Sequence, residues 1–152
     1  MPVLAQSHLR VFEGIVHAAN WLTSKVKSSS TPQHLVTGEQ GEMDAFFYLR
    51  RQSYVVVARR YRSALRPGDI DLIAWQGDTL CFVEVKTRSS RDFASAESSV
   101  NEHKRKTLRR LARIYLRSLA TEPATRFDVL AVYPSQKNAP EFELFQSAFD
   151  WY

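Results

Sequence analysis

Cysteine is almost missing from this chain: of 152 residues only Cys81 is one. A single thiol closes no intrachain disulfide, and no CxxC or Cys/His spacing offers a zinc-binding set. The expected role of Cys81 is a small buried apolar residue in a reducing compartment. Long apolar runs are also lacking. None approaches the ~20 residues that a membrane span needs, and the N-terminus has no signal-peptide apolar core. A cytoplasmic protein without a membrane span is expected. Internal repeats and low-complexity segments are absent too. Acids are scarce in one place: residues 101–119 carry seven Lys and Arg but only Glu102. The rest is ordinary for one globular domain, with 44% hydrophobic and 24% charged residues and a net charge of +5.

What is present is organised around a hairpin. Pro67–Arg88, PGDIDLIAWQGDTLCFVEVKTR, reads as two apolar strands, Asp69–Trp75 and Leu80–Lys86, joined at Gly77-Asp78. Gly-X is a favoured two-residue turn between such strands. If Gln76 faces Thr79, Asp71 falls opposite Glu84 and Asp69 opposite Lys86. Alternation then puts Leu80, Phe82, Glu84 and Lys86 on one face with Asp69, Asp71 and Ile73, and Cys81 on the other. Opposed side chains have Cβ atoms roughly 5 Å apart, where like charges destabilise. Something cationic should sit between the two carboxylates.

Two readings of the pair compete. Asp71 and Glu84 could be edge residues facing water, or half of an ion-pair network with Lys86 and Arg88. Yet both strands are apolar on both faces, as in a sheet covered on both sides. Buried and unpaired, a carboxylate is costly. A divalent metal held by carboxylate oxygens removes that cost and leaves positions for water and phosphate. The apolar flanks favour this second reading.

Asp71 with Glu84-Val85-Lys86 resembles the D…ExK signature of the restriction-endonuclease-like nucleases. More closely, GDIDLIA…FVEVKTR resembles the GEIDLIA…FVEVKTR core of the YraN-like family, small bacterial proteins related to Holliday-junction resolvases and regarded as predicted endonucleases. Gly38, Gly41 and Glu42 match that family's Gly-x-x-Gly-Glu. Val100, Lys104, Leu108, Ala112, Tyr115 and Leu116 match its helix pattern, and Arg126-Phe127-Asp128-Val129 its Arg-Phe-Asp-Val run. Ser53-Tyr54 and Asp69 replace a Gly-aromatic pair and a glutamate. The resemblance spans about Leu35 to Phe149. It implies a restriction-endonuclease-like α/β core, α–β–β–β–α–β, with a mixed central sheet flanked by helices. It also implies Mg²⁺ or Mn²⁺ held by Asp71, Glu84 and the carbonyl of Val85, with Lys86 acting on the attacking water and on developing charge. Glu42 would complete the shell, and the substrate would be nucleic acid, DNA for preference, with duplex and branched or structured forms and RNA left open.

Taken in order, residues 1–30 form a separate amphipathic helix, with Val11, Phe12, Ile15, Ala19, Leu22 and Val26 on one side. It could dock on its own domain or a protein partner, pair with a second copy in a homodimer, or lie on a membrane surface. Residues 31–36 read as a linker and 37–152 as the nuclease-like domain. The next helix is expected near Thr37, whose spacing to Gln40 suits a capping box. Glu42 lies on its inward stripe with Ala45, Phe46 and Leu49, so it either reaches an Arg or Lys at the helix edge or points at the carboxylates. Tyr54–Ala58 reads as a short, fully covered strand followed by a loop of Arg59, Arg60, Arg62 and Arg66. The helix over about Asn101 to Leu119 has Leu108, Leu111, Ala112, Tyr115 and Leu119 as its core stripe. Its cations include Lys104, Lys106, Arg109, Arg110 and Arg113. So one-signed a run suggests phosphate binding, with Arg88 alongside. Asp128 is expected to pair with an arginine, and Glu141–Phe145 to be an edge strand. No base-reading motif is visible, so shape rather than sequence would be recognised. A non-catalytic nucleic-acid-binding or adaptor module with the same fold is the alternative function.

Overall fold

The computed structural model describes residues 33–89, 91, 97–135 and 138–152; the helix expected over 1–30 lies outside them. The order is α1 (Gln33–Arg51), β1 (Val55–Ser63), β2 (Arg66–Gln76), β3 (Thr79–Thr87), a 3₁₀ turn (Glu97–Ser99), α2 (Glu102–Leu116), β4 (Ala124–Tyr133) and β5 (Glu141–Phe149). The chain divides into two units, Met1–Gln40 and Gly41–Tyr152. The sheet, its cores and the candidate site belong to the second. No helix among the described residues is long and apolar enough to cross a membrane.

The fold is α/β. One five-stranded mixed sheet has the order β1-β2-β3-β4-β5. Neighbours are antiparallel except β3 and β4, which are parallel and joined through α2. The hairpin has the expected register, Gln76↔Thr79 through Leu72↔Val83. Gly77 at its turn takes a φ of 56°, a left-handed value natural for glycine. Odd residues of β3 and the α1 residues Ala45 and Leu49 form one core, with Leu72, Ala74, Cys81, Val83, Val85, Leu130 and Val132. Leu80 and Phe82 face α2 and join Ile70, Ile73, Leu108, Leu111, Ala112, Phe127 and Val129. A sheet covered on both faces explains why its central strands read as continuous apolar runs.

Three boundaries differ from expectation. α1 starts at Gln33, inside the expected linker, because no Gly or Pro interrupts 33–36; Thr37 is therefore inside the helix rather than at its cap. β1 extends to Ser63, so Arg59, Arg60 and Arg62 are strand residues, not loop residues. It is also an edge strand, with Val55 62% and Val57 45% exposed, not a fully covered one. Hydrophobic content cannot distinguish a central strand from an edge strand with one open side. β5 runs on to Phe149, which stacks on Phe127.

Candidate functional site

The site forms where two neighbouring strands part. β2 and β3 stop pairing at Leu72↔Val83. Just beyond, Ile70 and Ile73 pack into the same core. Arg60, on the strand beside them, takes a positive φ of 46°, uncommon without glycine. The strict alternation expected over Asp69–Ile73 therefore fails at Asp71. Its side chain replaces the missing ladder partner: Val85 N donates to Asp71 Oδ2 at 2.7 Å. In an extended strand the N–H and C=O of one residue point to the same side, so the Val85 carbonyl faces the same gap.

Asp71 is 9% exposed and Glu84 3%. Lys86, two residues along the same strand face, donates from Nζ to Glu84 Oε1 at 2.9 Å. Lys104, in the first turn of α2, brings its Nζ to 3.1 Å from Glu84 Oε2 and 3.5 Å from Asp69 Oδ1. It also donates to the main-chain oxygen of Asp69 at 3.3 Å. Oε2 is buried, and the Lys104 ammonium meets it at ion-pair distance but off the alignment of a good hydrogen bond. Glu84 is thus paired by two lysines, Lys86 from β3 and Lys104 from α2.

Burial, reinforced by the charge of Glu84, pushes the Asp71 carboxyl up to about 8, although the Val85 amide and Lys104 pull the other way. Burial of Lys104 works against its charge, but Glu84 and Asp71 outweigh it and the net direction is upward.

Gly41 sets α1 against the end of β3. A Cβ at that position would lie 1.9 Å from Thr87 Oγ1, so only glycine permits this approach. Glu42 follows directly, and its carboxylate binds Arg60 Nε. Its charge contributes to the rise at Asp71. Among the described residues no three His, Cys, Asp or Glu are arranged to hold a metal ion. Glu42 is thus engaged by Arg60 while its charge still acts on Asp71.

The cations of α2 divide three ways. Lys104 enters the site. Arg109, whose side chain is only 11% exposed, pairs with Glu102 Oε1 at 2.9 Å, donates to Asp150 O at 2.8 Å and lies over Phe149. Arg105 donates to Val100 O and also covers Phe149. Lys106, Arg110, Arg113 and Arg117 are exposed and, at i, i+4, i+7 and i+11, share one face. Arg113 there lies over Trp151. Arg88 is half-buried, with its amide bonded to Val132 O. The site role of Lys104 was missed from sequence, although its spacing gave a signal: 104, 108, 111 and 115 form the core stripe itself.

At the opposite end of the sheet, Arg126 Nε bonds both oxygens of the fully buried Asp128, at 3.0 Å each. Its Nη2 reaches Tyr54 Oη and Gln76 Oε1. Asp128 also accepts from Ser147 N. This is a structural network. The Cys81 thiol, buried beside Asp128, is pushed up to about 12, burial being the larger cause.

The model of a family described as "Uncharacterised protein family UPF0102" matches residues 41–132. A UPF0102 protein of Koribacter versatilis is 43% identical over 141 residues, covering 93% of this chain and 96% of the relative. One of Solibacter usitatus is 46% identical over 113 residues, 74% of this chain and 84% of its own. One of Symbiobacterium thermophilum is 42% identical, with shares of 74% and 94%. The first alignment is long enough that it must include much of residues 1–30, so the expectation that the likeness starts near Leu35 is too narrow for that relative.

Proposed function

Since the chain belongs to the uncharacterised protein family UPF0102, the YraN-like proteins, we propose that it is a metal-dependent nuclease with a restriction-endonuclease-like core. The observation that carries this reading is the buried pair. Asp71 and Glu84 are both buried and their charges interact where β2 and β3 stop pairing, and the buried Glu84 Oε2 faces the Lys104 ammonium at 3.1 Å without an aligned hydrogen bond. The donor set fits a hard divalent cation such as Mg²⁺ or Mn²⁺. Such ions take oxygen ligands, and Mg²⁺ typically uses one or two carboxylates, with waters and substrate phosphate completing the shell. Asp71, Glu84 and the Val85 carbonyl would hold it.

When bound, the cation supplies Lewis acidity toward the phosphoryl oxygen and charge stabilisation at the phosphorus. The protein's groups do the rest. Lys86, whose ammonium donates to Glu84 at 2.9 Å, orients the attacking water and stabilises the developing charge. Glu42 and Arg60 line the rim. Arg88 and the exposed face of α2 hold the strand by its phosphates, independently of base sequence. DNA, branched or otherwise structured, is the proposed substrate.

The test is cleavage of a panel of linear and branched DNA and RNA with Mg²⁺ or Mn²⁺. Wild type should cut at least one member. Glu84→Ala and Lys86→Ala should each lose activity by at least about a hundredfold while still binding. A second reading also has an observation in its favour: Glu84 is already paired by two lysines and Glu42 by Arg60. Tight binding by wild type without any cleavage would support that reading, a nucleic-acid-binding or adaptor module.

A further inference from the structure

Lys104 stands in an unusual position. It belongs to the first turn of α2, where its amide donates to the capping Asn101 Oδ1 at 2.9 Å. That end of a helix carries partial positive charge and disfavours a cation. The side chain lies on the core stripe, one turn before buried Leu108, and is only 26% exposed. A lysine placed against both the helix dipole and an apolar core needs strong compensation. It finds this in Glu84 Oε2 at 3.1 Å and in two oxygens of Asp69, at 3.3 and 3.5 Å.

We propose that Lys104 is the resident cation of the carboxylate site in the metal-free protein and must leave Glu84 when a divalent ion binds. The proposal rests on the metal reading of Asp71 and Glu84. A metal ion about 2.1 Å from Glu84 Oε2 and an ammonium 3.1 Å from the same oxygen would compete for its lone pairs and repel each other across about 4–5 Å of a largely buried site. Asp69 gives the displaced ammonium a place to go, because it already contacts Lys104 through its main-chain oxygen and Oδ1. Asp69 therefore has a function without being a ligand: it retains Lys104 at the edge of the site, where a substrate phosphate can engage it. Metal and nucleic acid then assist each other, since a phosphate that draws Lys104 away frees Glu84 for the ion.

Apparent metal affinity is reduced by the fraction of time for which the site is free to bind. If Lys104 occupies Glu84 about nine-tenths of the time, removing its charge raises Mn²⁺ affinity about tenfold. The experiment is calorimetric titration with Mn²⁺ of the full chain as wild type, Lys104→Met, Lys104→Gln, Lys104→Arg and Glu84→Gln. The Met and Gln variants should bind about tenfold more tightly than wild type. The Arg variant, which keeps the charge, should stay near wild type, and Glu84→Gln should lose most binding. Lys104→Gln keeps a polar group in the site and gives the answer should Lys104→Met fail to fold. If wild type binds Mn²⁺ and the two neutral variants bind equally or more weakly, the proposal is wrong and the metal reading stands. If neither wild type nor the neutral variants bind, both fall.

Discussion

At the scale of single residues, the chemistry rests on how differently two carboxylates are treated. Glu84 is matched by two lysines, whereas Asp71 is matched mainly by one amide hydrogen bond. Burial and the charge of Glu84 therefore raise Asp71 to about 8, far above the ordinary carboxylate value of about 4. The folded, metal-free protein then holds a proton on Asp71 that the unfolded chain releases. Stability contributed by that proton is complete below about pH 4 and is lost as pH rises to about 8. In chelator, wild-type stability should fall across this window relative to Asp71→Asn, as read from denaturant midpoints at several pH values. Parallel curves for the two proteins would mean that Asp71 is ionised throughout. The register from Gln76↔Thr79 to Leu72↔Val83 was legible in sequence because hairpin register is simple arithmetic, but the pairing stops short of Asp71 and Glu84. The break in alternation was not, since it depends on β2 leaving β3 and on the positive φ of Arg60.

At the scale of elements, α2 carries two assignments that one charge run concealed. Counting cations found the run, but burial divides it. Lys104 turns inward, Arg105 and Arg109 brace the end of β5, and only Lys106, Arg110, Arg113 and Arg117 point outward. The set expected to bind phosphate, Lys104, Lys106, Arg109, Arg110 and Arg113, therefore mixes an inward, a bracing and three exposed residues. Replacing Lys106, Arg110 and Arg117 by Ala should weaken nucleic-acid binding equally for all sequences and reduce the salt slope by roughly three. Arg109→Ala should instead lower the melting temperature, since it removes contacts to Glu102, Asp150 and Phe149. An unchanged salt slope in the triple variant would return that face to ordinary solvation. Edge position was the other feature hidden from sequence: Val55 to Val57 look like central-strand residues, and only the sheet order exposes two of them.

At the scale of the whole molecule, the apolar pattern was enough to mark the helices and the covered strands, because each has its own period, while the mixed sheet was implied by the family resemblance. The site's identity came from a different kind of information, carboxylates written into strands that should contain none. What stayed illegible were contacts between elements far apart in the chain, such as Lys104 with Glu84 or Glu42 with Arg60. The central claim is that this acidic gap holds a divalent ion for phosphodiester chemistry. Its most direct test is anomalous diffraction from crystals of wild type soaked in Mn²⁺. The account predicts a single strong peak about 2.1 Å from Asp71, Glu84 Oε2 and the Val85 carbonyl, with Lys104 Nζ moved toward Asp69. A soaked crystal with Lys104 still against Glu84 and no peak in the gap would contradict it.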